Sequence, residues 1–242
     1  MQQATPEPYS AEEYFSFLLQ CAKRAEAQGN YAISAAAAVR YGGVELVSLG
    51  SNTVFADENP TGHAEVNAIM SLRSVARATP RALATALLRG EQQGSLIVRP
   101  APDERAESVL YTTLEPCPMC TVCIINAGID RVVVAAEDPP SGSLAPDRLA
   151  ALPVLWPQLG RDLDVLWCQS TVPVAVETFL PSELRDELLE LFLRSRTNLD
   201  YQLGRHGTLD IRAVGERVAA VRKGDLRTES ALALSAAHSR EM

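Results

Sequence analysis

Two short runs in the 242-residue chain carry side chains that can bind a metal ion. One reads G-H-A-E at residues 62–65, and the other reads E-P-C-P-M-C at residues 115–120. Zinc binds histidine nitrogen and cysteine sulfur, and a catalytic zinc takes three protein ligands and leaves its fourth position to water. One histidine and a C-x-x-C pair supply that number, so we predict a zinc site at His63, Cys117 and Cys120.

Cys123 extends the second run to C-x-x-C-x-x-C, so a fourth thiolate has to be considered. On a helix Cys123 lies about 9 Å along the axis from Cys117, at ~1.5 Å per residue. We therefore interpret Cys123 as a packing residue. The other cysteines, Cys21 and Cys168, lie in stretches with the pattern of an amphipathic helix and of a strand, and we expect both in the core.

Helices and strands must bring the two runs together. The run S-A-E-E at residues 10–13 is a capping box that begins the first helix. The predicted elements that follow are strands at 31–40 and 44–49, a helix from about residue 62, a strand at 109–113, a helix at 117–127, and strands at 131–136 and 163–167. Buried strands that alternate with helices indicate a largely parallel sheet covered on both faces.

The chain is long enough for one catalytic domain with additions. Residues 77–107 resemble an insertion that contains one short helix. Apolar residues at helical spacing predict a helix over 182–196 and a further one over 211–221. We therefore expect a catalytic domain over residues 1–180 and a C-terminal helical extension over residues 181–242.

Composition restricts the classes of protein that the chain can be. The net charge is −8, which disfavours binding to the phosphates of nucleic acid. We find neither an apolar run of about 18 residues that could span a membrane nor the pattern of a secretory signal at the start. We therefore expect a cytoplasmic protein without a membrane partner, whose five cysteines are reduced rather than paired as disulfides.

The two runs also resemble those of a known family. Y-T-T-L-E-P-C-P-M-C at residues 111–120, together with N-P-T at residues 59–61 before the histidine run, is similar to the cytidine-deaminase-like superfamily. The similarity is greatest to its nucleobase deaminase and tRNA adenosine deaminase branch. The resemblance implies a three-layer α/β/α sandwich with a mixed five-stranded sheet, a bound zinc ion, and a homodimer or larger homo-oligomer.

The resemblance further implies roles for individual residues. Zinc lowers the pKa of a water molecule. Glu65, which is not a ligand, takes a proton from that water and delivers protons to the ring nitrogen and to the leaving ammonia. Asn52 matches the asparagine that holds the base or sugar, and backbone groups beside Ala64 and Glu115 are expected to complete the substrate contacts.

The expected function is zinc-dependent hydrolytic deamination of a small amino-substituted heterocycle, which is a nucleobase such as guanine or cytosine, or a nucleoside. Deamination of tRNA adenosine is the alternative, which the motif permits and the net charge of −8 disfavours. A zinc-binding interaction module without catalysis is a second alternative, and the presence of Glu65 argues against it. We expect a small-molecule substrate rather than nucleic acid.

Overall fold

One mixed sheet organises the chain, and helices cover both of its faces. The computed structural model describes residues 10–76, 96–100, 106–153, 155–160, 163–168 and 180–206. The strands are β1 (Ser34–Tyr41), β2 (Val44–Ser51), β3 (Leu96–Pro100), β4 (Glu107–Thr112), β5 (Arg131–Val134) and β6 (Asp164–Trp167). The helices are α1 (Ala11–Ala27), α2 (Ala64–Ala76), α3 (Pro118–Ala127), α4 (Pro146–Ala150), α5 (Leu155–Leu159) and α6 (Ser182–His206).

The strands of the described residues follow the order β3-β2-β1-β4-β5-β6. β1 is antiparallel to β2 and to β4, and β2 is antiparallel to β3. The pairs β4–β5 and β5–β6 are parallel. The α/β class and the mixed sheet are therefore confirmed. The expectation of a largely parallel sheet holds for one half only, because the β1–β2 hairpin makes the other half antiparallel.

The five expected strands are present, and β3 adds a sixth at the edge of the sheet. It lies within the 77–107 segment, and Ile97 pairs with Val47 of β2 in antiparallel register. Its L-I-V run is short and is bounded by glycine, proline and charged residues, so periodicity gives little signal there. The backbone groups of β2 supply the pairing that makes this segment a strand.

The alanines of β1 explain how helices pack on both faces of the sheet. Because successive side chains of a strand point to opposite faces, Ala36 and Ala38 pack in the cluster that contains α1. Ala35 and Ala37 pack in the cluster that contains α2 and α3. All four are fully buried, and their small side chains allow the helices of both layers to lie close to the sheet.

Helix α1 begins with the predicted capping box. Ser10 Oγ accepts the backbone N–H of Glu13 at 3.3 Å, and the Glu13 carboxylate accepts the Ser10 N–H at 2.6 Å. The helix buries Phe15 and Leu18 completely in the core. Sequence and structure therefore agree on where this helix starts.

Helix α6 begins at the predicted residue and continues past the predicted end at residue 196. Leu188 and Leu191 in its first half pack in the core with α1. The chain divides into two compact units, Met1–Leu199 and Asp200–Met242. The expected boundary at residue 180 between a catalytic domain and an extension stays a proposal.

Two predicted helices, one within residues 77–107 and one over 211–221, lie outside the described residues. In the parts of the chain that the structure describes, no helix combines the length and the apolar character that crossing a membrane requires.

Candidate metal and catalytic site

The two sequence runs meet where two helices begin. Helix α2 starts directly after His63, and Cys117 is the N-cap residue of α3. The ligand atoms of these residues and of Cys120 lie close together, so the N-termini of both helices face one region. Unpaired N–H groups and the positive end of the helix dipole stabilise thiolates there.

Close packing of α2 on β2 fixes the position of the histidine run. Gly50 of β2 has no side chain, and a Cβ at this position would overlap the backbone of Ala64 and Ala68. The start of α2 can approach the strand this closely only because residue 50 is glycine. Ala64 and Ala68 are completely buried, so the backbone next to His63 is held against the sheet.

His63, Cys117 and Cys120 form a group that can bind a metal ion. Their ligand atoms lie within 4.8 Å of one another, and Cys117 Sγ is 3.6 Å from His63 Nδ1. In a tetrahedral site with Zn–S of about 2.3 Å and Zn–N of about 2.0–2.1 Å, neighbouring sulfur and nitrogen ligands are about 3.6 Å apart. The donor types and their spacing therefore fit a zinc ion with three protein ligands.

Hydrogen bonds within this group shift the pKa values of all three ligands. Hydrogen bonding from the Cys120 thiol lowers the pKa of Cys117 to about 4, and His63 contributes to the same shift. The shared hydrogen bond and burial raise the pKa of Cys120, and hydrogen bonding to Cys117 raises the pKa of His63. Zinc binds cysteine as the thiolate, so a zinc ion bound here displaces the thiol protons.

Cys123 lies outside this group. Among the described residues, the cluster of potential metal ligands contains His63, Cys117 and Cys120 without Cys123. Cys123 is partly buried about one turn further along α3, and burial is the main reason that the pKa of its thiol is raised. These observations favour the interpretation of Cys123 as a packing residue.

Glu65 lies beside the metal group. It is the second residue of α2, it is 3% exposed, and its Oε2 is 3.4 Å from Cys120 Sγ. Burial raises the pKa of Glu65 to about 7. Helical residues two positions apart do not share a face. Because His63 precedes the helix, the side chains of His63 and Glu65 both lie near Cys120. A carboxylate that is buried here can take up and release protons near neutral pH.

Both oxygens of the Glu115 carboxylate accept hydrogen bonds from other parts of the chain. Its Oε1 accepts the N–H groups of Leu144 at 2.9 Å and Ala145 at 3.1 Å. Its Oε2 accepts the N–H of Asp138 at 3.2 Å and a guanidinium N–H of Arg148 at 2.7 Å. Burial raises the pKa of Glu115, and the backbone donors oppose that shift. The side chain therefore ties the cysteine run to the segment 138–148.

Arg148 and Gly142 complete this attachment, and the sequence patterns do not single out either residue. Arg148 also binds Glu137 at 2.8 Å. A Cβ at Gly142 would overlap the Glu115 carboxylate, so the segment can lie this close only with glycine there. The expected contact between a substrate and the backbone groups beside Glu115 stays a proposal. The Glu115 side chain itself binds the segment 138–148.

Asn52 follows β2 and is 1% exposed. Its Oδ1 accepts the N–H of Val54 at 3.2 Å, which is the usual bond of an asparagine that shapes a turn. The expected contacts of Asn52 and of the Ala64 backbone with a substrate stay proposals.

Two further asparagines hold the loop that leads to His63. Asn30 Oδ1 accepts the N–H groups of Phe55 at 2.9 Å and Ala56 at 3.1 Å. Asn67 Nδ2 donates to the Ser51 carbonyl oxygen at 2.8 Å. Sequence reasoning missed both residues, although an asparagine inside a predicted helix, such as Asn67, is a signal of a local hydrogen bond.

This geometry agrees with a comparison to known families. Residues 8–136, more than half of the chain, match the family that is described as "Cytidine and deoxycytidylate deaminase zinc-binding region". The chain belongs to this deaminase family. The family membership confirms the resemblance that the sequence runs carry. Its metal is zinc, and His63, Cys117 and Cys120 form the group that is placed to bind the ion.

The chain is similar to proteins with different names, and it covers different shares of their lengths. A tRNA-specific adenosine deaminase of Aquifex aeolicus is 31% identical over 134 residues, covering 55% of this chain and 71% of that protein. A tRNA(Ile)-lysidine synthase of Deinococcus deserti is 33% identical over 102 residues, covering 42% of this chain and only 15% of the synthase. A solved structure of guanine deaminase from Nitrosomonas europaea is 20% identical with a TM-score of 0.45, covering 78% of this chain and 87% of that chain.

Proposed function

We propose that this family member catalyses the zinc-dependent hydrolytic deamination of a small amino-substituted heterocycle, which is a nucleobase such as guanine or cytosine, or a nucleoside. The observation that carries the proposal is a three-ligand group with a buried carboxylate beside it. Glu65 Oε2 lies 3.4 Å from Cys120 Sγ, and the donor set leaves one position of a tetrahedral zinc for water.

In the proposed reaction, water adds to the ring carbon that bears the amino group, and ammonia leaves, so that a C–NH₂ group becomes a carbonyl. A bound zinc ion lowers the pKa of a water molecule toward neutrality. Glu65 takes one proton from the water and delivers it to the ring nitrogen, and it then takes the proton of the new hydroxyl group and delivers it to the departing amine. Asn52 and the backbone beside Ala64 and Glu115 hold the ring.

The choice of a small substrate is supported by the net charge of −8, because enzymes that act on polynucleotides usually present a basic surface. Deamination of adenosine in tRNA is the second candidate. It is supported by the 31% identity to the Aquifex aeolicus protein that carries that name. We also propose that the protein acts as a homodimer in the cytoplasm.

Ammonia release from a panel of free bases and nucleosides tests the proposed function. Zinc-loaded protein should release ammonia from at least one of them, and the same protein treated with a chelator should not. A tRNA anticodon stem-loop is included at low and moderate salt. Salt-sensitive deamination of the stem-loop, with none of the small molecules, would replace the first candidate with the second. Release from no substrate would favour a non-catalytic zinc module.

A further inference from the structure

Asn30 follows α1 and is buried, with 1% of its surface exposed. Its backbone N–H donates to the Ala25 carbonyl oxygen at 2.9 Å, which is a bond typical of a helix end. Its side-chain oxygen accepts two more N–H groups, from Phe55 at 2.9 Å and Ala56 at 3.1 Å. Asn30 therefore joins the end of α1 to the loop formed by residues 53–62.

This loop directly connects two parts of the proposed site. Asn52, the proposed substrate contact, precedes it, and His63 of the metal group follows it. Within the loop, the Asn59 N–H donates to the Val54 carbonyl oxygen at 3.0 Å. The position of Val54 is therefore set by the fold of the loop.

Val54 in turn fixes the side chain of Asn52. Asn52 Oδ1 accepts the Val54 N–H at 3.2 Å, and the backbone N–H of Asn52 donates to the Ile33 carbonyl oxygen at 2.9 Å. Among the described residues, none accepts a hydrogen bond from Asn52 Nδ2. An amide that is held through its oxygen keeps its N–H donors for a ligand. The bond to Val54 therefore fixes the amide from which Asn52 can donate to a substrate.

The side chain of Asn30 acts on the protein through one oxygen atom. Its amide nitrogen is buried and has no hydrogen-bond partner within the described part of the chain. A buried donor without a partner lowers stability, so the amide nitrogen does not explain why an asparagine lies here. What the side chain provides is an acceptor for two N–H groups of the loop.

We infer that Asn30 is a positioning residue for substrate binding, whose side-chain oxygen holds the 53–62 loop so that Val54 fixes the Asn52 amide. The inference rests on the proposed deamination and on the proposed contact between Asn52 and the ring. Asn30 acts through Asn52, and it takes no part in the chemistry at the metal ion.

The metal group is held separately from Asn30. Asn67 holds the ends of the loop, because its Nδ2 lies 3.2 Å from Thr53 Oγ1 and 3.4 Å from the Gly62 carbonyl oxygen. Gly62 directly precedes His63. Loss of the Asn30 side chain should therefore leave the zinc ligands in place.

Steady-state kinetics of Asn30 variants test the inference, with zinc-loaded protein and a substrate from the ammonia-release panel. Asn30→Ala removes the acceptor of both loop N–H groups, so KM should rise by about 3- to 30-fold. Because Asn52 holds the ring equally before and during the reaction, kcat should stay within about twofold of the wild type. Asn30→Asp should restore the wild-type KM, since it keeps an acceptor oxygen and loses only the nitrogen without a described partner.

Ser195→Ala is the matched control. Ser195 Oγ on α6 accepts the buried N–H of Ala32 at 2.9 Å, two residues after Asn30. This variant also leaves an N–H unpaired in the segment after α1, but it does not touch the loop, so its KM should equal that of the wild type. An equal rise of KM in Ser195→Ala and Asn30→Ala would overturn the role of Asn30, because lost stability would explain both.

A double-mutant cycle tests whether Asn30 acts through Asn52. Asn52→Ala should raise KM, and adding Asn30→Ala should raise it no further. Two effects that multiply would show that Asn30 acts by another route and would overturn the inference. If thermal unfolding shows that Asn30→Ala does not fold, Asn30→Ser, which leaves a smaller void and a shorter acceptor, takes its place in the cycle.

The outcomes separate this inference from the proposed function. If folded Asn30→Ala has an unchanged KM, or loses zinc, the role of Asn30 is overturned and the proposed function stands. A KM of Asn30→Asp as high as that of Asn30→Ala would contradict the role of the oxygen. If the zinc-loaded wild type deaminates no member of the panel, the proposed function fails, and this inference fails with it.

Discussion

Glu65, which contacts Cys120, and Glu115, two residues before Cys117, are both buried, with 3% and 2% of their surface exposed, yet their surroundings differ. Glu115 accepts four hydrogen bonds, two at each oxygen. Glu65 contacts the Cys120 thiol and its own backbone N–H. Four donors hold a carboxylate in one place, whereas a carboxylate that meets a thiol is able to exchange a proton. Burial alone therefore does not distinguish the two carboxylates, and the donors around Glu65 support its proposed role as the catalytic acid.

The largest expected effect is on turnover in Glu65→Gln. The amide keeps the shape of the side chain and cannot carry protons, so the rate of ammonia release should fall by about 10²–10⁴-fold. Zinc content should stay near that of the wild type, because Glu65 is not a ligand. A variant that loses zinc together with activity would make Glu65 part of the metal site and would remove the contrast with Glu115.

Glu115→Gln should affect stability more than chemistry. Each oxygen of Glu115 faces two donors, so a glutamine NH₂ group meets donors in both of its orientations. Leaving buried donors unsatisfied costs about 1–3 kcal/mol of unfolding free energy. Chemical denaturation measures that loss, and turnover per folded, zinc-loaded chain should fall far less than in Glu65→Gln. Equal losses of turnover in the two variants would contradict the distinction.

Ser10→Ala is expected to have the smallest effect and serves as a reference for stability. Loss of the N-cap hydrogen bond to Glu13, which measures 3.3 Å, should cost about 1 kcal/mol. Helix α1 does not contribute a metal ligand, so the substrate preference and zinc content of this variant should match the wild type. A change in turnover would mean that lower stability alone disturbs the site. The turnover measured for Glu115→Gln would then have to be corrected for its loss of stability.

The metal group could be predicted from the sequence because its ligands lie in two short runs with fixed spacing. The capping box of α1 and the β1–β2 hairpin could be predicted for the same reason, since each depends on neighbouring residues. The ion pair of Arg196 with Asp138 could not, because the two residues are far apart in the sequence and meet only in the folded chain. β3 likewise becomes a strand through pairing with β2, and its own residues carry a weak pattern.

The role of Glu115 shows the same limit within a run that the sequence did identify. The resemblance implies a substrate contact for the backbone groups beside Glu115, and the structure shows that its side chain binds residues 23–33 positions further along the chain. No local pattern encodes those partners. Gly142, which lies against the carboxylate, could be recognised as a requirement only after the contact was known.

The central claim is that three protein ligands hold the zinc ion and that a fourth position is left open, and zinc stoichiometry tests it most directly. Cys120→Ala and Cys123→Ala form a matched pair, because both residues lie on α3 and only Cys120 belongs to the metal group. Elemental analysis should find about one zinc per chain in the wild type and in Cys123→Ala, and a large loss in Cys120→Ala. An equally complete loss in Cys123→Ala would indicate four protein ligands, which is the arrangement of a structural zinc site, and would contradict the proposed catalysis.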